Sequence, residues 1–302
     1  MADDRIEVDG REIPVSNLDK VLYPETGFTK GDVIEHYRRV APVLLPHLRG
    51  RGVTRKRFPD GPDGTSFYEK NCPKHRPPWV PVVDFTTSNG TEIAFCAVED
   101  EAALVWLANL AALELHAQLW RLPDTDHPTH LVFDLDPGPP AGHVAAAEVA
   151  LVLRDALEAT GMEVVVKSSG GKGLHLGVPL DGSATFDEAK SVAQAIAEAL
   201  ERQMPGQVTS VMAKAKRKGK VFIDWSQNDR HKSTVAVWSL RGRSRPTVSA
   251  PLTWDEVADA VRRDDPGGLL VEAPQIPDRL RQLGDLWAPI EGPGQPLARL
   301  LR

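Results

Sequence analysis

The chain has 302 residues, of which 41% are hydrophobic and 26% charged, with a formal net charge of −6. These values suit a soluble protein of one large or two small domains and exclude one coated in positive charge. Two cysteines, Cys72 and Cys96, exclude a disulfide framework and suit a reducing cytoplasm.

The polar start Met1-Ala2-Asp3-Asp4-Arg5 is unlike a secretory signal, and no apolar run approaches a membrane span. The chain then opens with a hairpin, Ile6 to Val8, the turn Asp9-Gly10, and Glu12 to Val15. Thr29 is an N-cap for a helix toward Leu48, which Pro42 and Pro46 should break or kink. Val53 to Phe58 and Ser66 to Lys70 read as strands, and Val82 to Thr87 and Glu92 to Val98 flank an Asn89-Gly90 hairpin turn. Cys72-Pro73-Lys74-His75 is half of a metal motif without its second half, so structural zinc is not expected. Glu99-Asp100-Glu101 starts a helix read as running to about Trp120. A join between a β-rich front module and the rest is expected near residues 98–101.

The apolar run Leu131 to Phe133 leads into Asp134-Leu135-Asp136 and stops at Pro137-Gly138. Alternate residues of a strand share a face, so the two carboxylates stand about 6–7 Å apart at the backbone. Two bare carboxylates that close repel, and one takes up a proton unless a cation neutralises both. Magnesium or manganese suits such oxygen donors and brings phosphate ligands with it. The plainer alternative is a pair of aspartates starting a turn.

Val144 to Thr160 is a helix stopped by Gly161, and Val164 to Val166 and Leu174 to Val178 are strands. Between the strands lies Lys167-Ser168-Ser169-Gly170-Gly171-Lys172-Gly173. Its glycine N–H groups, the Ser169 hydroxyl and the Lys172 charge make it a candidate phosphate cradle, although it is not a Walker A motif. Thr185, with Glu188 three residues on, caps a helix to Met204. Lys220 to Trp225 ends a strand on a third carboxylate, Asp224, and Thr234 to Leu240 reads as another strand. If the Asp224 and Asp134 strands are neighbours, three carboxylates converge and could hold two divalent ions. Helices at Trp254 to Arg263 and Pro277 to Leu286 complete an α+β order with an antiparallel sheet at its centre.

Ten basic residues lie between Val211 and Arg245, against Asp224 and Asp229 alone, and a second cluster is Arg49, Arg51, Arg55, Lys56 and Arg57. Concentrated basic segments on an acidic protein suit local binding of a polyanion.

The elements Asp-Lys-Val-Leu-Tyr-Pro (19–24), Thr-Arg-Lys-Arg (54–57), Phe-Asp-Leu-Asp-Pro-Gly (133–138), Ser-Gly-Gly-Lys-Gly-Leu-His (169–175), Val-Phe-Ile-Asp-Trp-Ser-Gln-Asn (221–228) and Ser-Leu-Arg-Gly-Arg (239–243) occur in that order. Together they resemble the polymerase domain of bacterial ATP-dependent DNA ligase D and its stand-alone relatives in the archaeo-eukaryotic primase superfamily. The resemblance covers nearly the whole chain. It implies one primase-polymerase catalytic domain over residues 1–302, with an N-terminal α/β DNA-end module to about residue 98 and a core with an RRM-like central antiparallel sheet. It implies that Asp134, Asp136 and Asp224 hold two manganese or magnesium ions. Ser169, Lys172 and Arg217 would contact the triphosphate, Lys56, Gln227 and Arg241 would line the incoming nucleotide, and His116 would reach it from the preceding helix. His175 reads as structural.

The same resemblance gives Asn17, Lys20 and Lys30 a downstream 5′-phosphate, gives Phe67 and Tyr68 stacking on template bases, and gives Arg57 the template backbone. Packing on opposite faces of a strand is the alternative for the aromatic pair. The implied activity adds nucleotides, ribonucleotides preferentially, to primer 3′-ends across short gaps in repair or non-homologous end joining. Partners would be gapped or broken DNA, nucleoside triphosphates, a Ku-like end binder and a ligase, in a nucleoid-associated protein without a membrane partner. A stand-alone enzyme and an excised domain fit equally. The rival readings are a non-catalytic DNA-end bridging module and a manganese-dependent nucleotide-sugar glycosyltransferase.

Overall fold

A computed structural model describes residues 4–301 and divides into two compact units. The first comprises the chain up to Pro123 with Ser233–Val248 and Glu272–Asp278, and the second comprises Asp124–Lys232, Ser249–Val271 and the chain from Arg279. The join expected near residues 98–101 thus falls inside the first unit. Two later segments return to that unit, so His116 and Arg241 both belong to it. Among the described residues no helix is long and apolar enough to cross a membrane.

The first unit starts with the expected hairpin, β1 (Asp4–Val8) and β2 (Arg11–Val15), followed by the short pair β3 (Val21–Tyr23) and β4 (Phe28–Thr29). Helix α1 (Lys30–Leu48) is capped by Thr29, whose hydroxyl accepts from Asp32 N–H while the Asp32 carboxylate accepts from Thr29 N–H. Pro42 and Pro46 do not break α1, which runs through both. Its buried face of Val33, Tyr37, Val40, Ala41, Leu44 and Leu48 packs on α2 (Glu101–Asn109), which offsets the two missing N–H donors.

The unit's main sheet runs Ser233–Val235, β9 (Ala112–Gln118), β5 (Val53–Arg57), β8 (Glu92–Cys96), β7 (Val82–Thr86), with β6 (Phe67–Glu69) also paired to β5. The helix expected to reach Trp120 therefore ends at Asn109, and Ala111, at φ 57°, turns the chain into β9. The cause is burial. Residues 102–108 and most of 112–118 are equally enclosed, so the run has no periodicity that separates a buried helix from a central strand. The strand expected over Thr234 to Leu240 is confined to Ser233–Val235, with Trp238 at φ 64° beyond it.

The two cysteines also depart from expectation: Cys72 and Cys96 form a disulfide. Cys72 N–H donates to the Ala94 carbonyl and Asn71 bridges Phe95, which lays the segment before β7 against β8. The cysteines therefore carry no argument for a reducing compartment. Buried Arg55 donates to Cys96 Sγ at 2.8 Å, to Glu69 at 2.8 Å and to the Asn71 carbonyl at 2.9 Å, so β5, β6 and the disulfide are one joint. The closed loop has a sequence separation of 24. Reduction should cost about 3 kcal/mol of stability, read as a lower urea midpoint with a thiol reductant and no such change in Cys72→Ser.

In the second unit the order is β10 (His130–Pro137), α3 (His143–Glu158), β11 (Val165–Ser168), β12 (Leu174–Pro179), α4 (Phe186–Gln203), β13 (Val208–Thr209) and β14 (Val221–Asp224). Its sheet runs β13-β14-β10-β12-β11 and ends on Pro251–Leu252. All pairs are antiparallel except β13 with β14. Taken as β10-α3-β11-β12-α4-β14, this is the βαββαβ order with an antiparallel sheet expected of an RRM-like core. Thr185 and Glu188 make the expected capping box of α4. Phe133 and Leu135 are fully buried while the Asp134 and Asp136 side chains take the opposite face of β10.

Candidate active site

The β10–β14 register pairs Asp134 with Asp224 directly and Asp136 with Phe222. On the other edge of β10, Asp134 pairs with His175, and His175 pairs with Lys167 on β11. Because directly paired residues share a face, Lys167, His175, Asp134 and Asp224 form one row across four strands. The contacts follow the row. Lys167 Nζ lies 3.2 Å from His175 Nδ1 and donates to Ser249 at 2.7 Å, and His175 Nε2 lies 3.2 Å from Asp134 Oδ1. His175, read from sequence as structural, thus touches a candidate metal ligand. Only the strand pairing could have revealed this.

Asp224 ends β14 and caps a 3-10 turn. Its Oδ1 accepts from Ser226 N–H and hydroxyl, and its Oδ2 accepts from Gln227 at 2.9 Å. Asn228 is fully buried and takes both polar groups of Val132: its Oδ1 accepts from Val132 N–H at 2.9 Å and its Nδ2 donates to the Val132 carbonyl at 2.8 Å. This clamp fixes the Asp224 turn to the aspartate strand. Among the described residues no three His, Cys, Asp or Glu side chains already stand at metal-ligand spacing. The donor set, three carboxylates on adjacent strands, fits a hard divalent cation such as manganese or magnesium.

The glycine turn differs from the cradle expected. Gly170 N–H donates to Ser168 Oγ, and Gly171 and Gly173 N–H donate to Ser169 Oγ. These amides close the turn on itself, and the Lys172 side chain is exposed. The His143 ring at the start of α3 lies 2.8 Å from the Gly171 carbonyl and holds the turn's outer edge. Arg217 lies with its guanidinium 3.7 Å from the centre of the Phe222 ring, on the residue opposite Asp136, and donates to the Met212 carbonyl at 2.6 Å. Asp134, Asp136, Asp224, Ser169, Lys172, Arg217 and Gln227 all belong to the second unit.

The remaining nucleotide and template candidates lie in the first unit. His116 stands on the strand β9, not on a helix. Its Nε2 lies 2.9 Å from Glu114, a fully enclosed carboxylate that sequence reasoning missed. Glu114 also accepts from Gly242 N–H at 3.0 Å and lies 3.4 Å from Arg241 Nε. Burial pushes the Glu114 carboxyl upward, but His116, Arg241 and Gly242 outweigh it and hold it down at about 2. A depressed carboxyl contributes stability fully present above its unfolded value and lost as pH falls through its folded value. The urea midpoints of the wild type and Glu114→Gln should therefore converge on acidification from about pH 6 to about pH 3.

Lys56 packs its ammonium 4.9 Å from the Phe58 ring. Phe67 and Tyr68 are 47% and 52% exposed, so neither is core and the opposite-face packing alternative fails. Tyr68 meets the His116 ring edge-on at 5.5 Å. Arg57 is held by the Leu110 carbonyl at 2.7 Å and by Glu69 at 3.1 Å.

Asn17, Lys20 and Lys30 are drawn together by backbone bonds: Lys20 N–H donates to the Asn17 carbonyl and Lys30 N–H to the Lys20 carbonyl. Asn17, at φ 55°, makes the turn. Lys30 is buried and donates to the Ser16 carbonyl, and burial, then the Lys20 charge, lowers its pKa. Lys20 reaches Asp60 at 2.8 Å in an exposed pair of little worth. A buried ammonium whose charge is disfavoured by burial and by a neighbouring lysine suits an anionic ligand.

A family profile described as "LigD, primase-polymerase domain" matches residues 29–287. The multifunctional non-homologous end joining protein LigD of Mycolicibacterium smegmatis is 41% identical over 281 residues, covering 92% of this chain and 36% of that protein. The bifunctional non-homologous end joining protein LigD of Bacillus subtilis is 32% identical over 251 residues, covering 83% of this chain and 40% of that protein. The chain thus spans less than half the length of these relatives. A solved structure, the polymerase domain of Mycobacterium tuberculosis ligase D in complex with DNA, is similar with a TM-score of 0.86 and 40% identity, covering 94% of this chain and 99% of that one.

Proposed function

Because the chain belongs to the LigD primase-polymerase domain family, we propose that it is a template-directed nucleotidyltransferase. It adds nucleotides, ribonucleotides preferentially, to primer 3′-ends and fills short gaps that carry a downstream 5′-phosphate, in end joining or repair. One observation supports this reading above the rest: Asp134, Asp224 and His175 are direct cross-strand partners. Like charges placed directly opposite each other are destabilising, and a bound cation would relieve that repulsion.

Asp134, Asp136 and Asp224 would hold two divalent ions, manganese or magnesium. Bound there, the ions would supply activation of a hydroxyl nucleophile and charge stabilisation at the phosphates. The protein's own groups bind and orient. Lys172 and Arg217 neutralise the triphosphate, Ser169 closes the turn that presents Lys172, and Gln227 steadies Asp224. Lys56, His116 and Arg241 contact the nucleotide. Phe67 and Tyr68 stack on template bases, worth about 1–3 kcal/mol per base, and Arg57 contributes charge toward the template backbone. Asn17, Lys20 and Lys30 hold the 5′-phosphate, Lys20 exchanging Asp60 for it. A Ku-like end binder and a DNA ligase are the partners, and the protein works in the cytoplasm beside the nucleoid.

The test is primer extension on a gapped duplex, with and without the downstream phosphate, with manganese and with ribo- and deoxyribonucleotides in separate reactions. The phosphate should stimulate extension, and Lys20→Ala should weaken that stimulation about 10-fold, the worth of one charged hydrogen bond. Extension indifferent to the phosphate would remove the gap-filling role. Tight DNA binding without extension would favour an end-bridging module.

A further inference from the structure

We infer that Glu114 is a positioning residue for nucleotide selection, which fixes the ring orientation and tautomer of His116 and the turn that carries Arg241. The inference rests on the reading of His116 and Arg241 as nucleotide contacts, and adds what holds them and what class of group His116 recognises. An ionised carboxylate only accepts hydrogen bonds, so His116 Nε2, 2.9 Å from Glu114, carries the proton. Burial lowers the His116 pKa and the ring is neutral near neutral pH, which leaves a lone pair on Nδ1. No hydrogen bond among the described residues engages that nitrogen.

A lone pair takes a donor. Ionised phosphate oxygens are acceptors only, whereas sugar hydroxyls donate. In this tautomer His116 suits a sugar hydroxyl and not a phosphate. On its other side Glu114 accepts from Gly242 N–H, and the Tyr23 hydroxyl donates to the Arg241 carbonyl at 2.9 Å. A Cβ on Gly242 would meet the Phe58 ring at 2.1 Å, so the turn is seated closely against that ring. The contact of the Tyr68 ring with His116 extends the arrangement to β6. One enclosed carboxylate thus organises two residues of the nucleotide set.

The experiment compares the full chain with Glu114→Ala, Glu114→Gln and His116→Ala. It measures kcat and KM for ribo- and deoxyribonucleoside triphosphates, thermal melting, and the imidazole tautomer by nitrogen–proton NMR. Glu114→Ala should raise the ribonucleotide KM about 10-fold, change kcat less than about 3-fold, lower the ribo-over-deoxyribo ratio and mix the His116 tautomers. His116→Ala should lose the same ratio. Glu114→Gln keeps the volume and should shift all three readouts less, in the same direction, even if the alanine variant does not fold.

Unchanged KM, ratio and tautomer in Glu114→Gln, with a loss in His116→Ala, overturns the role of Glu114 alone. No change in either His116→Ala or the Glu114 variants overturns both assignments, while the polymerase reading stands if Asp134→Ala is still inactive. Absence of extension by the wild type overturns the functional reading itself.

Discussion

Asp134→Ala should abolish primer extension, with a loss of at least ~10³-fold, equivalent to ~4 kcal/mol at about 1.36 kcal/mol per decade. The same variant should fold at least as well as the wild type. Asp134 stands directly opposite Asp224 with the Asp136 side chain on the same face, and the His175 ring lies 3.2 Å from its carboxylate. Removing one of the facing carboxylates relieves a like-charge pair worth a few tenths to about 1 kcal/mol. A residue kept at the expense of stability is the signature of a functional group.

The ion provides a readout apart from activity. If the aspartates bind manganese, the ion at about 100 times its dissociation constant should stabilise the wild type by about 2.7 kcal/mol, and the alanine variant by much less. A thermal melt with and without manganese reads this directly. Equal manganese stabilisation in both proteins, or extension surviving in Asp134→Ala, would sink the carboxylate assignment. Asn228→Ala separates chemistry from scaffolding. It removes two bonds to Val132 and leaves that strand's N–H and carbonyl unpaired. It should therefore lower stability as well as activity, unlike Asp134→Ala.

What was legible in the sequence was whatever is encoded locally. The aspartate strand is an apolar run with a Pro-Gly stop, Thr185 and Glu188 spell a cap, and Asn89-Gly90 spells a hairpin whose two strands, β7 and β8, are present. What escaped depends on which strands become neighbours. His175 and Lys167 have no local signal beyond a strand and a turn. Their meaning appears only when β12 lies beside β10. Glu114 sits in an apolar stretch read as helix, and on a helix it would not share a face with His116 two residues on. On β9 the two share a face, and the hydrogen bond follows. The cysteines, 24 residues apart with β7 between them, gave no sign of their pairing. The return of Ser233–Val248 to the first unit is likewise a property of tertiary contacts, and it moved Arg241 out of the unit in which the sequence order had put it.

Gly173→Ala should strongly damage both folding and activity of the second unit. A Cβ at this position would stand 2.2 Å from the Leu135 carbonyl oxygen and 3.7 Å from Asp136 Oδ1. The first atom is backbone of the aspartate strand and cannot rotate away, so either the turn or the strand must move. The turn is not free to do so: Ser169 N–H donates to the Gly173 carbonyl at 3.0 Å, and Gly173 N–H returns to Ser169 Oγ. Nor is the strand, since Leu135 is paired to Leu174 on one side and Ile223 on the other.

Overpacking a core by a methylene costs about 1–3 kcal/mol when side chains can adjust. Here backbone meets backbone, so the cost should lie at or above the top of that range. The displacement falls between the residues that carry Lys172 and Asp136, so activity should drop about 100-fold or more even in protein that stays folded, as a shift of about 1 Å at a reacting centre is enough for that. Gly206→Ala is the control, because nothing lies within 4 Å of its Cβ position. A Gly173→Ala protein that melts and extends primers like the Gly206→Ala control would mean that the glycine turn and the aspartate strand do not form one unit. The reading of Lys172 as a triphosphate contact held in place by that turn would then fail with it.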